Sequence, residues 1–106
     1  MNLYNNEIVS GGIDNLIRVW NTETKECKKT LSGHTSWIGS LANIKTDIIA
    51  SGSGDNSIRI WNMTNGICLK NLSGYTSYVY SIVKLNELQI VSGSRDNTIR
   101  VWNMSL

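Results

Sequence analysis

Apolar and polar residues alternate with a period of two through much of the chain. Over Ser57–Asn62, Ile58 and Ile60 fall on one face and Arg59 and Trp61 on the other, the pattern of a half-buried β-strand. The same middle stretch predicts three more strands. They are Trp37–Ile44 (WIGSLANI), Ile48–Ser53 (IIASGS, entered by a β-branched pair) and Ile67–Leu72. Polar turns separate them at Lys45-Thr46-Asp47, at Gly54-Asp55-Asn56 and at Met63–Gly66. Asp and Asn suit tight turns because they tolerate a left-handed backbone and bond back to it with their side chains. No stretch carries the 3.6-residue period of an amphipathic helix. The pattern predicts an all-β chain whose unit is four short antiparallel strands.

That unit recurs. IVSGGIDNLIRVWN at Ile8–Asn21 returns as IASGSGDNSIRIWN at Ile49–Asn62 and as IVSGSRDNTIRVWN at Ile90–Asn103. Trp20, Trp61 and Trp102 stand 41 residues apart, as do Asp14, Asp55 and Asp96, Ser10, Ser51 and Ser92, and Arg18, Arg59 and Arg100. Gly33-His34 is answered by Gly74-Tyr75, and Cys27 by Cys68. A fixed period of this length marks a repeat architecture. Each repeat is a supersecondary unit that cannot bury its own faces and needs neighbours.

Gly-His followed by strand-SGSGDNSIRIWN resembles the WD40 repeats of β-propellers, and the resemblance covers essentially the whole chain. One departure is regular: the family's terminal Trp-Asp is Trp-Asn in all three copies. The resemblance implies a hydrogen-bonded set of four residues pinning each blade, here His34, Ser51, Asp55 and Trp61. Residue chemistry suits such a set, since a buried aspartate needs donors, a histidine one donor and one acceptor partner, and an indole can only donate. The third repeat offers Ser92, Asp96 and Trp102, with Tyr75 in place of the histidine. The first offers Ser10, Asp14 and Trp20 without the histidine-bearing segment.

With strands a to d numbered from the propeller axis outward, the 41-residue step maps the chain as one repeat array. Residues 1–31 form a blade lacking strand a, 32–72 a complete blade, and 73–106 a blade lacking strand d. The expected fold is a partial propeller of about 2.5 blades, strand order bcd-abcd-abc. It is not a closed ring as a monomer, because closed propellers have about 4–8 blades. Its outer faces would leave apolar residues uncovered: Ile8, Ile17 or Val19 at one end, and Val91, Ile99 or Val101 at the other. Further WD40 blades are therefore expected as partners, from a longer parent chain or from copies of this one. The reading favours a fragment or truncated product, since neither end looks like a cap.

Composition narrows the function. With 106 residues, 41% of them hydrophobic and 17% charged, the chain reads as globular. A net charge of +2 argues against specific nucleic-acid binding and against anionic membrane. The densest basic run, Lys25-Glu26-Cys27-Lys28-Lys29, reads as a solvated strand edge. No apolar run approaches the roughly 20 residues of a membrane span, and no signal peptide is visible. The expected compartment is the cytoplasm, with the nucleus also compatible. One histidine and two cysteines without metal-ligand spacing predict no metal and no cofactor. The register of Cys27 and Cys68 predicts one packing role in two copies.

Ser, His and Asp at regular positions could suggest a nucleophilic triad. They recur in register with Trp, however, and two of three copies lack the histidine, so the reading is structural and non-catalytic. SGGIDN and SGSGDN lead from strand to strand, without the helix N-terminus or lysine of a phosphate loop. The strand-c arginines are expected to share a packing role or an ion pair within each blade.

Propellers of this family usually serve as rigid platforms for protein or peptide partners, which meet the rim at residues before the aspartate and near the start of strand a. The matching candidates are Arg95, Trp37, Tyr78 and Tyr80, residue types enriched in binding hot spots. TETKECKKTLSGHTS and the short turns in NIKTDIIASGS and KLNELQIVSGS look most like F-box/WD substrate receptors of ubiquitin ligases. Those receptors bind phosphorylated segments with rim arginines.

Overall fold

The computed structural model describes residues 6–104. Ten strands run in chain order: β1 (Glu7–Gly11), β2 (Ile17–Asn21), β3 (Cys27–Leu31), β4 (Ile38–Lys45), β5 (Ile48–Ser53), β6 (Ile58–Asn62), β7 (Ile67–Leu72), β8 (Val79–Asn86), β9 (Gln89–Ser94) and β10 (Ile99–Asn103). They form three antiparallel sheets, β1-β2-β3, β4-β5-β6-β7 and β8-β9-β10. This is the bcd-abcd-abc order that the 41-residue step predicts, and no barrel closes among the described residues. Among the described residues no helix is long and apolar enough to cross a membrane.

The turns obey one rule in all three sheets. Asn15, Asn56 and Asn97 adopt φ of 70°, 71° and 69°, the left-handed conformation that asparagine tolerates best among non-glycine residues. The aspartate before each accepts from the backbone two residues on: Leu16, Ser57 and Thr98 donate to Asp14, Asp55 and Asp96. Each b–c hairpin therefore has the same register. Ile49 faces Trp61 across the second sheet as Ile8 faces Trp20 and Ile90 faces Trp102. Bulges at Val19/Trp20 and Ile60/Trp61 shift strand d. There both cysteine sulfurs donate to the carbonyl two residues on, Cys27 to Lys29 and Cys68 to Lys70. Their surroundings differ: Cys68 packs on the core and Cys27 is exposed.

The three sheets stack face to face. Val9, Ile17, Val19 and Leu31 of the first share a core with Ile49, Trp61 and Met63 of the second. The opposite face of the second sheet places Ala50, Ile58 and Ile60 against Tyr75, Val79, Ile82 and Ile90 of the third. Alternation explains this: strand c sends its isoleucines to the following sheet and its tryptophan to the preceding one. The stacking also settles which residues face outward. Ile17 and Val19 are buried, so the first sheet shows Ile8 and Trp20, and the third shows Ile99 and Val101. The basic run is not a uniformly solvated edge. Lys28 pairs with Glu7 at 2.7 Å, and Lys29 Nζ crosses to the second sheet to donate to the carbonyls of Met63 (2.6 Å) and Thr64.

Candidate functional site

The expected four-residue set is assembled in the second sheet. Trp61 Nε1 donates to Ser51 Oγ (2.8 Å), Ser51 Oγ lies 2.6 Å from His34 Nε2, and His34 Nδ1 lies 2.8 Å from Asp55 Oδ2. One proton arrangement satisfies every atom: Ser51 receives the indole proton and donates to Nε2, leaving the Nδ1 proton for Asp55. Burial pulls the His34 pKa below its usual 6.5 despite the neighbouring carboxylate, so the ring is neutral at pH 7. Burial alone would raise Asp55, but bonds from Ser57, His34 and the Thr35 amide hold it at about 2. The set therefore consists of an ionised aspartate and a neutral histidine. Ser51 is 0% exposed and its Oγ is taken up by Trp61 and His34, the arrangement of a buried structural pin.

The third sheet solves the same problem differently. Trp102 Nε1 donates to Ser92 Oγ at 2.7 Å, as expected. The Tyr75 hydroxyl reaches Ser92, bonding its Oγ and donating to its carbonyl at 2.9 Å, and it leaves Asp96 untouched. Asp96 is held instead by the Thr76 amide and the Thr98 hydroxyl, which lower its pKa. In the first sheet the set divides into two pairs. Trp20 Nε1 donates to Ser10 Oγ (2.9 Å), while Asp14 forms an ion pair with Arg18 (2.7 Å) that lowers its pKa. Sequence reasoning missed the hydroxyls that hold Asp55 and Asp96, although Ser57 and Thr98, each two residues beyond one, were the visible signal.

The strand-c arginines do not share one role, contrary to expectation. Of the three, only Arg18 forms an ion pair among the described residues. Arg59 Nη1 contacts Cys68 Sγ at 3.7 Å while its Nε is buried without a hydrogen-bond partner among the described residues. Arg100 stacks over Tyr75 at 4.7 Å and Trp102 at 5.9 Å. Their neighbours in strand d and in the histidine segment differ from sheet to sheet, and a long guanidinium arm follows its neighbours.

Three of the four rim candidates are brought together. In the second and third sheets the turn amide before the aspartate donates to the carbonyl of the residue just before strand a, Gly54 to Trp37 (2.9 Å) and Arg95 to Tyr78 (3.0 Å). Two equivalent turns therefore hold two aromatic residues side by side. The Trp37 and Tyr78 rings meet edge-on, 5.1 Å between centroids and 62° between planes. The absence of a side chain at Gly54 seats the indole, since a Cβ there would lie 2.5 Å from Trp37 Cε2. In the third sheet Arg95 takes the place of that glycine, and its guanidinium lies 5.4 Å from the Tyr78 ring centroid, within cation–π range. Tyr80 is exposed in β8 and makes no ring contact among the described residues. Arg95 is exposed and forms no ion pair among the described residues. The result is a ladder of two aromatic rings ending in a cation, with donors free for an acceptor-bearing ligand.

No curated protein matches the chain. Two segments, residues 25–62 and 66–103, match the family described as "WD domain, G-beta repeat", and they span the pinned sheets just described. WD40 repeats generally mediate protein–protein interaction and are generally non-catalytic. The matched segments cover most of the sequence, and the chain belongs to the WD40-repeat family.

Proposed function

We propose that the chain is a protein-interaction scaffold whose rim at Trp37, Tyr78 and Arg95 receives an extended peptide bearing one acidic or phosphorylated side chain. The observation that carries this reading is the Trp37–Tyr78–Arg95 ladder, with 5.1 Å between the rings and 5.4 Å from guanidinium to ring. A guanidinium already placed over the Tyr78 ring loses less entropy on pairing with a carboxylate or phosphate. The aromatic rings supply apolar area beside the charge, the combination that dominates interface hot spots. Tyr80 is the fourth candidate contact. The F-box/WD receptors, which the turns of this chain resemble, take phosphorylated segments on rim arginines. A single rim arginine here suits a segment with a single acidic group.

The test is a peptide array containing phosphoserine, phosphothreonine, glutamate and unmodified versions of each sequence, followed by fluorescence anisotropy on the binders. Arg95→Ala and Tyr78→Ala change exposed side chains and are expected to preserve the fold. The expected result is preference for the charged versions and a loss of about tenfold or more for Arg95→Ala, matching one charge-assisted contact. Absence of binding, or equal binding by both variants and the wild type, refutes the reading. Absence of binding would favour the alternative, a purely structural fragment of a longer propeller with no independent activity.

A further inference from the structure

The chain carries both halves of one interface, and uses it twice internally. Between the first and second sheets, Ile17 and Val19 are buried in one cluster with Ile49 and Trp61. Between the second and third, Ile58 and Ile60 are buried against Ile90 and Trp102. These are equivalent residues one 41-residue step apart. One step further, Ile99 and Val101 hold the same register but are 77% and 56% exposed, against 0% for Ile58 and Ile60. At the other end, Ile8 and Trp20 hold the register of Ile49 and Trp61. They are only partly buried and line a groove with Asn21, Thr22 and Lys25. The glycines agree. A Cβ at Gly11 or Gly52 would collide with Ile38 or Val79 of the following sheet, whereas at Gly93, in the same register, it would meet nothing within 4 Å.

We propose that a second copy of this chain covers these faces head to tail, the Ile99–Val101 face of one copy seating on the Ile8–Trp20 face of the other. Each copy supplies the tryptophan-bearing half and the isoleucine/valine half. The pairing reproduces the chemistry that buries Ile17 and Val19 under Trp61, and then Ile58 and Ile60 beneath Trp102. The contact is heterologous, so it closes into a ring of two or more copies where the rotation permits and extends into filaments where it does not. It uses the flat faces of the end sheets, leaves the rim ladder free, and is independent of the peptide reading.

The test is light scattering coupled to size-exclusion chromatography on the 106-residue chain, with Ile8→Glu and Val101→Glu as variants blocked at one end each. Ser10→Arg and Ile99→Lys replace them if circular dichroism shows a loss of strand structure. The wild type is expected at a discrete multiple of 11.8 kDa, or as a ladder of such multiples. Each single variant is expected to be monomeric, because every contact in a homogeneous sample then contains a blocked end. An equimolar mixture of the two is expected to recover a heterodimer, because one unblocked pair of ends remains. A monomeric wild type overturns the proposal and leaves these faces to another polypeptide. So does a variant that still pairs with itself, which would signal a face meeting its own copy, or aggregation that both variants retain.

Discussion

Replacing the same serine by alanine in each of the three sheets should cost three different amounts. In Ser51→Ala the lost Oγ strands the Trp61 indole N–H (2.8 Å) and His34 Nε2 (2.6 Å), both in buried side chains. Each stranded buried group costs about 1–3 kcal/mol, so the pair amounts to about 2–6 kcal/mol, a large part of the roughly 5–15 kcal/mol that holds a small domain together. In Ser92→Ala the Trp102 indole alone is stranded, because the Tyr75 hydroxyl keeps its bond to the Ser92 carbonyl at 2.9 Å. The expected cost is about 1–2 kcal/mol. In Ser10→Ala the Trp20 indole loses a partner that is exposed, and water takes its place, so the cost falls below about 0.5 kcal/mol. The assay is urea unfolding followed by tryptophan fluorescence, with midpoints compared at a common slope. It is run on a Val101→Glu background so that the end faces stay free. Equal costs at the three positions, or the largest at Ser10, would refute the argument that burial and the number of stranded partners set the price.

Two further outcomes follow from the same geometry. Because burial holds the His34 pKa below 6.5, the unfolded chain binds a proton before the folded chain does as pH falls. Stability therefore declines below about pH 6.5, and a second decline follows as Asp55, held at about 2 against an ordinary 3.8, takes up its proton. His34 is the only histidine, so thermal melts of His34→Gln between pH 7.5 and 5 should lose the first decline, and a wild-type profile flat over that range would count against it. Gly54→Ala should push Trp37 off the rim, because the added Cβ would lie 2.5 Å from Trp37 Cε2 and 2.8 Å from Ser36 Oγ. The expected readout is a shift in tryptophan emission together with loss of rim-peptide binding, while unchanged emission would mean that the glycine is not what seats the indole.

The parts of this molecule that could be read from the sequence are those decided within a few residues. Asn15, Asn56 and Asn97 share one left-handed turn because the aspartate before each accepts the backbone amide two positions on, a bond encoded by adjacent residues. The strands that flank those turns inherit their register, and with it the facing pairs Ile8–Trp20, Ile49–Trp61 and Ile90–Trp102. What could not be read depends on distance along the chain. Lys29 donates to a carbonyl 34 residues away, and nothing in Lys28-Lys29 distinguishes the lysine that crosses between sheets from the one that pairs at the edge. Tyr75 is visibly a phenol where His34 is an imidazole, yet its longer reach carries the hydroxyl past Asp96 to Ser92, a result of backbone placement. The order of stacking belongs to the same class. Alternation separates Trp20 from Val19, but only packing decides which of them meets a neighbour. That decision gives the end faces their complementary character. The first sheet spends its aliphatic side on the second and is left presenting tryptophan; the third spends its tryptophan side on the second and is left presenting isoleucine and valine. A stack built by one rule of this kind ends with unlike faces at its two ends, which is why the covering each lacks has the chemistry of the other.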